Sequence, residues 1–113
     1  MINENILHFL ADEYSRKILT ATIKRECSAR ELALELKIPS ATLYRKIKSL
    51  EEAKLIKNVK TVRTQAGNDE NYYISTINKI CITFDGKLSI TLVEKDLTDR
   101  FIKLWNIVSN RRE

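Results

Sequence analysis

Two blocks of apolar residues recur with helical spacing between Ser28 and Ile56, in the stretch SARELALELKIPSATLYRKIKSLEEAKLI. Ser28 and Glu31 stand three apart ahead of the first block, which is the pattern of a capping box: the Ser hydroxyl and the Glu carboxylate each take an otherwise unpaired backbone N–H. Leu32, Ala33 and Leu36 line one side of the short helix that follows. Lys37-Ile38-Pro39-Ser40 breaks it, because Pro39 cannot continue a helix but can begin one. In the second block Leu43, Ile47 and Leu50 fall at i, i+4 and i+7, which predicts one buried stripe. Upstream, Asp12 is placed to cap a helix running to about Arg25, with Tyr14, Ile18, Leu19 and Thr22 or Ile23 inward. The apolar-rich lead Met1–Leu10 predicts a further helix.

After Leu55-Ile56 the period changes to alternation. Residues 56–62 predict a strand, 64–70 a polar loop, and 71–77 a returning strand. Ile80, Ile82 and Phe84 alternate up to Asp85-Gly86, a tight-turn dipeptide, and Leu88, Ile90 and Leu92 alternate away from it. This second hairpin either extends the first sheet or forms part of a ligand or dimer surface. From Asp96 the pattern is helical again, with Leu97, Phe101, Leu104, Trp105 and Val108 on one face. Four helices and then two hairpins and a closing helix predict an α+β fold, mainly α: a winged helix-turn-helix with an additional β-hairpin and a C-terminal dimerisation helix.

The exposed side of the second motif helix gives that fold a chemistry. Ser40, Thr42, Tyr44, Arg45 and Lys48 lie opposite its apolar stripe. Hydroxyls and cations on a helix of this kind suit the major groove of duplex DNA, where Arg reads guanine and Lys neutralises phosphate. On the following hairpin, Lys57, Lys60, Arg63, Gln65 and Asn68 suit the phosphate backbone or the minor groove. Charge supports this placement. The net charge is +5. Residues 38–65 hold seven basic and two acidic side chains, so this window carries the whole excess and the rest of the chain is neutral. A basic footprint this localised favours a polyanionic partner over charge that merely aids solubility.

With these residues laid out, the chain resembles archaeal winged-helix transcription regulators of the ArsR-like group over nearly its whole length. LADEYSRKIL resembles the opening helix, SARELALELKIPSATLYRKIKSLEEAKLI the helix-turn-helix, the Tyr72-Tyr73 strand the return strand of the wing, and DLTDRFIKLW a closing helix. The resemblance implies a homodimer that presents two recognition helices to duplex DNA. Two departures stand out. Members often have Gly where this chain has Lys54, so Lys54 either strains a left-handed cap by up to ~1 kcal/mol or alters the exit from the helix. Metal-sensing members carry paired cysteines in the helix before the turn. Here Glu31–Leu36 holds none, which removes the usual metal-sensor site.

The remaining features exclude more than they assign. A chain of 113 residues fits one domain, 1–113. Its terminal helices, 1–25 and 96–110, are expected to form the dimer interface through Ile6, Phe9, Leu10, Phe101, Leu104, Trp105 and Val108. Cys27, Cys81 and His8 have no ligand-like spacing; passive roles are expected, with a thiol switch or a metal site as the alternative. No nucleophile motif, phosphate loop or carboxylate pair argues for an enzyme, and no cofactor or metal is expected. No apolar run approaches the ~18 residues of a membrane span, and no signal peptide is evident, so a cytoplasmic location is expected. The rival readings are a winged-helix adaptor for protein partners and a weakly specific chromatin protein.

Overall fold

The structure, a computed structural model, describes residues 2–95. Four helices and five strands follow in the order α1 (Ile2–Ala11), α2 (Glu13–Lys24), β1 (Cys27–Ser28), α3 (Ala29–Leu36), α4 (Ser40–Glu52), β2 (Ile56–Arg63), β3 (Asp69–Ser75), β4 (Ile77–Phe84) and β5 (Leu88–Glu94). This is the α+β winged helix-turn-helix with an added hairpin. The closing helix expected from Asp96 lies outside the described residues, and with it Phe101, Leu104, Trp105 and Val108.

Local chemistry sets the helix boundaries. Asp12 caps α2, its carboxylate accepting from the Ser15 N–H at 2.9 Å and from the Ser15 hydroxyl at 2.7 Å. Both halves of the capping box form: Glu31 N–H donates to Ser28 Oγ at 3.1 Å, and Ser28 N–H to Glu31 Oε1 at 3.0 Å. Pro39 stands at the N-cap of α4 rather than inside its first turn. Lys37 and Lys54, just past the ends of α3 and α4, both adopt left-handed conformations, with φ of 57° and 65°. Lys54 therefore adopts the left-handed geometry that favours Gly.

One core lies between the helices and the first sheet. Ile18, Leu32, Leu43, Ile47 and Leu50 are buried there with Leu55, Ile56, Tyr73 and Ile77. Between the two candidates on α2, Thr22 is the buried one, and its hydroxyl donates back to Ile18 O at 2.8 Å. That bond satisfies a polar group which burial would otherwise penalise. Ile6, expected at the dimer interface, is 1 % exposed and belongs to the core cluster. The helical period could not show this, because a core stripe and an interface stripe have the same spacing. Phe9 and Leu10 pack against the same core and stay half-buried.

The first sheet has the order β1-β3-β2, all antiparallel. The two-residue strand β1 was not foreseen; Cys27 and Ser28 pair with Tyr73 and Tyr72. The wing loop is shorter than expected, since Asp69 and Glu70 already pair with Arg63 and Val62. Ile77 opens β4 instead of ending the wing. The β4-β5 hairpin forms a separate two-stranded sheet. Among the described residues no helix is long and apolar enough to cross a membrane.

Candidate nucleic-acid interface

The buried stripe of α4 fixes what its other side presents. Leu43, Ile47 and Leu50 are fully inside, so Ser40, Arg45 and Lys48 are exposed, Tyr44 is 57 % exposed and Thr42 is half-buried. Among the described residues Arg45 makes only a long contact, Nη2 to Thr42 Oγ1 at 3.4 Å. An open groove separates this face from the wing. Ser40 and Tyr44 line it on one side, and Thr64, Gln65, Asn68 and Asn71 on the other. Arg30 and Leu34 of α3, one helical turn apart, complete its helical wall. Neither was singled out in the sequence, although their i, i+4 spacing on the side away from Leu32 was a usable signal.

The wing residues divide between two faces, and a β-bulge decides the division. Register shifts between Asn58 and Lys60, so that Lys57 opposes Ile74 and Lys60 opposes Tyr72. An extra residue in one strand resets the alternation. Lys57 and Lys60, three apart, thereby share the face of Tyr72 and Ile74. Arg63 opposes Asp69 and shares the other face with Asn71 and Tyr73. Because Tyr73 is buried in the core and Asn71 lines the groove, Arg63 joins Gln65 and Asn68 on the groove side. Lys57 and Lys60 point away from it.

Electrostatic partners thin the basic window further. Lys46, inside the recognition segment, pairs with Asp12 at 3.1 Å and ties α4 to the start of α2. The Ser15 hydroxyl, then its N–H and Lys46, hold the Asp12 carboxyl below its ordinary range, against the opposing effect of partial burial. Lys60 pairs with Glu26 at 3.5 Å and sits 4.9 Å above the Tyr72 ring centre. Arg63 closes the wing tip, donating to Gly67 O at 3.0 Å and facing Asp69 at 3.6 Å. Among the described residues Arg45, Lys48, Lys54 and Lys57 have no ion pair. Within the basic window, the unpaired cations thus lie on α4 and the segment just after it.

The cysteines contribute no chemistry to this face. Cys27 is buried beside Ala21 O and Arg25 O, and burial pushes its thiol up, which disfavours the reactive thiolate. Cys81 lies on the second hairpin opposite Thr91. Among the described residues no group of three or more potential ligands gathers to hold a metal.

Residues 10–59 match a family model described as a helix-turn-helix domain. That span runs from the end of α1 through α4 into β2. Among solved structures, the chain is similar to NolR from Sinorhizobium fredii, with 16 % identity, 98 % of this chain and 87 % of that chain covered, and a TM-score of 0.54. It is also similar to HlyU from Vibrio cholerae N16961, with 16 % identity, 96 % and 91 % coverage, and a TM-score of 0.53. At this identity the likeness establishes the shared fold. No curated protein matches the chain.

Proposed function

We propose that this chain is a homodimeric, sequence-specific transcription regulator of double-stranded DNA, of the archaeal ArsR-like kind and acting in the cytoplasm. One observation carries the reading: the exposed face of α4 presents Ser40, Tyr44, Arg45 and Lys48 beside an open groove, with both cations free of ion pairs among the described residues. The match of residues 10–59 to a helix-turn-helix domain supports it. In the complex α4 lies in the major groove with Arg45 on a base edge, while Ser40, Thr42 and Lys48 serve phosphates or bases. Arg63, Gln65 and Asn68 follow the backbone or minor groove from the groove side of the wing. Lys57 adds charge from its outer face, where a phosphate competes with Glu26 for Lys60. A two-fold dimer built on the terminal segments sets two recognition helices about 34–36 Å apart, one turn of DNA.

Duplex fragments titrated at several salt concentrations test this. Preference for particular fragments over random duplex is expected, with Arg45→Ala weakening the preferred site by about 1–3 kcal/mol and Lys48→Ala lowering the salt slope by about 1. Equal affinity for every duplex selects the chromatin reading. Absence of binding selects the adaptor reading, which one feature favours: Leu34 and Tyr44, exposed at 70 % and 57 %, both line the groove.

A further inference from the structure

A second groove runs between α2 and the end of α3, and it shares no lining residue with the groove beside the wing. Its volume is about 830 Å³, within the range of ~300–1,000 Å³ that suits a small ligand. Thr20 and Ala21, in the middle of its α2 wall, are small, so the depression opens between longer side chains. Arg16 and Lys17 stand on one side of them and Lys24 and Arg25 on the other, while Lys37 belongs to the opposite wall. All five cations are exposed. With Glu13 and Glu35 as the only acids, the lining has a net charge of +3.

Structural needs do not account for this charge. Glu13 pairs with Lys17 at 3.2 Å, and Glu35 with Arg25. Among the described residues Arg16, Lys24 and Lys37 have no carboxylate partner; Arg16 donates to Leu10 O at 2.5 Å. Lys24 and Lys37 lie at helix C-termini, where the dipole favours a cation, but Arg16 is the fourth residue of α2, at the end that disfavours one. The acids nearest it in sequence, Asp12 and Glu13, are already paired with Lys46 and Lys17. Neither α4 nor the wing contributes to the lining. Arg16, Thr20 and Lys24 recur every four residues, so the two cations share a stripe of α2 about 12 Å long. A linear run of phosphates matches that stripe. It carries several charges in line, offers oxygens to each ammonium group, and lets the Arg16 guanidinium bind one phosphate bidentately. We infer that the α2–α3 groove binds a small polyphosphate anion through Arg16, Lys24 and Lys37. A nucleoside triphosphate and inorganic polyphosphate share that chemistry. Lys37 leads through buried Ile38 into α4, so the site adjoins the support of that helix without lying on it.

Calorimetric titration of the full chain with tripolyphosphate, at constant ionic strength and without DNA, tests the site independently of any duplex binding. One anion should bind per chain. Arg16→Gln and Lys37→Gln should each weaken it about tenfold, the share of one charge-assisted hydrogen bond. Glu13→Gln frees Lys17 and should tighten binding, a gain that damage to the fold would not produce. ATP in place of tripolyphosphate separates the two sources: equal affinity means that the groove holds phosphates alone, and higher affinity adds the nucleoside. Binding no tighter than that of sulfate overturns the inference. So does tripolyphosphate binding that Arg45→Gln and Lys48→Gln abolish while the groove variants spare it, which moves the anion to α4. Absence of tripolyphosphate binding, with Arg16→Gln and Lys37→Gln each lowering the salt slope of duplex binding by about 1, also overturns it and assigns the groove to the DNA backbone.

Discussion

Replacing Lys54 by Gly should stabilise this protein, and the structure fixes both the sign and the scale. Lys54 has a φ of 65°, a conformation that costs an L residue roughly 1–2 kcal/mol because of its Cβ. Its N–H donates to Glu51 O and the Leu55 N–H to Leu50 O, each at 2.9 Å. These are the paired bonds of a Schellman motif, which needs a left-handed residue at that position. Leu50 and Leu55 are both buried, and Thr76 grips the exit by donating from Oγ1 to Lys54 O at 2.8 Å and from its N–H to Leu55 O at 2.9 Å. The surrounding packing therefore enforces the strained conformation. Gly removes the steric cost but makes the unfolded chain freer by about 0.5–1 kcal/mol. A net gain of about 0.5–1 kcal/mol remains, or a rise in melting temperature of about 2–8 °C for a domain of this size. Urea unfolding should show a higher midpoint at unchanged slope. Lys54→Ala is the control: it removes the charge and keeps the Cβ. An equal gain from Lys54→Ala would trace the effect to relief of charge repulsion, and a lower midpoint for Lys54→Gly would refute the strain argument outright.

Three further outcomes follow from packing and caps. Ser28→Ala removes the hydroxyl arm of the capping box, while the Ser28 N–H arm to Glu31 uses the backbone and survives; the loss should cost about 1 kcal/mol in urea unfolding. Leu50→Ala opens a cavity at a site with no exposure and should cost about 2–5 kcal/mol, read from the same midpoint. Asp12 titrates below its ordinary value of 3.8 in the folded state, chiefly through the Ser15 hydroxyl. Its stabilisation is therefore present above that value and lost as pH falls through the lower folded one. Asp12→Asn should accordingly flatten the acid limb of the stability profile measured by thermal melting; an unchanged limb would remove Asp12 from that account.

What the sequence determined by itself is whatever neighbouring residues decide. The capping box at Ser28, the Asp12 cap, the break at Pro39, the buried stripe Leu43-Ile47-Leu50 and the turn at Asp85-Gly86 each depend on atoms within a few residues, so spacing alone revealed them. The left-handed site at Lys54 was legible only through the resemblance, since a lysine gives no such signal; Lys37, in the same conformation, went unread. Tertiary structure decided the rest. A bulge between Asn58 and Lys60 moved Lys60 off the groove side of the wing and brought Arg63 onto it, and strand β1 exists only because Tyr72 and Tyr73 come to lie beside it. Asp12 and Glu26 drew Lys46 and Lys60 into ion pairs, and Ile6 went into the core. Each of these turns on a partner distant in sequence. Periodicity shows which side of an element is apolar or charged, but only the folded chain determines what that side meets.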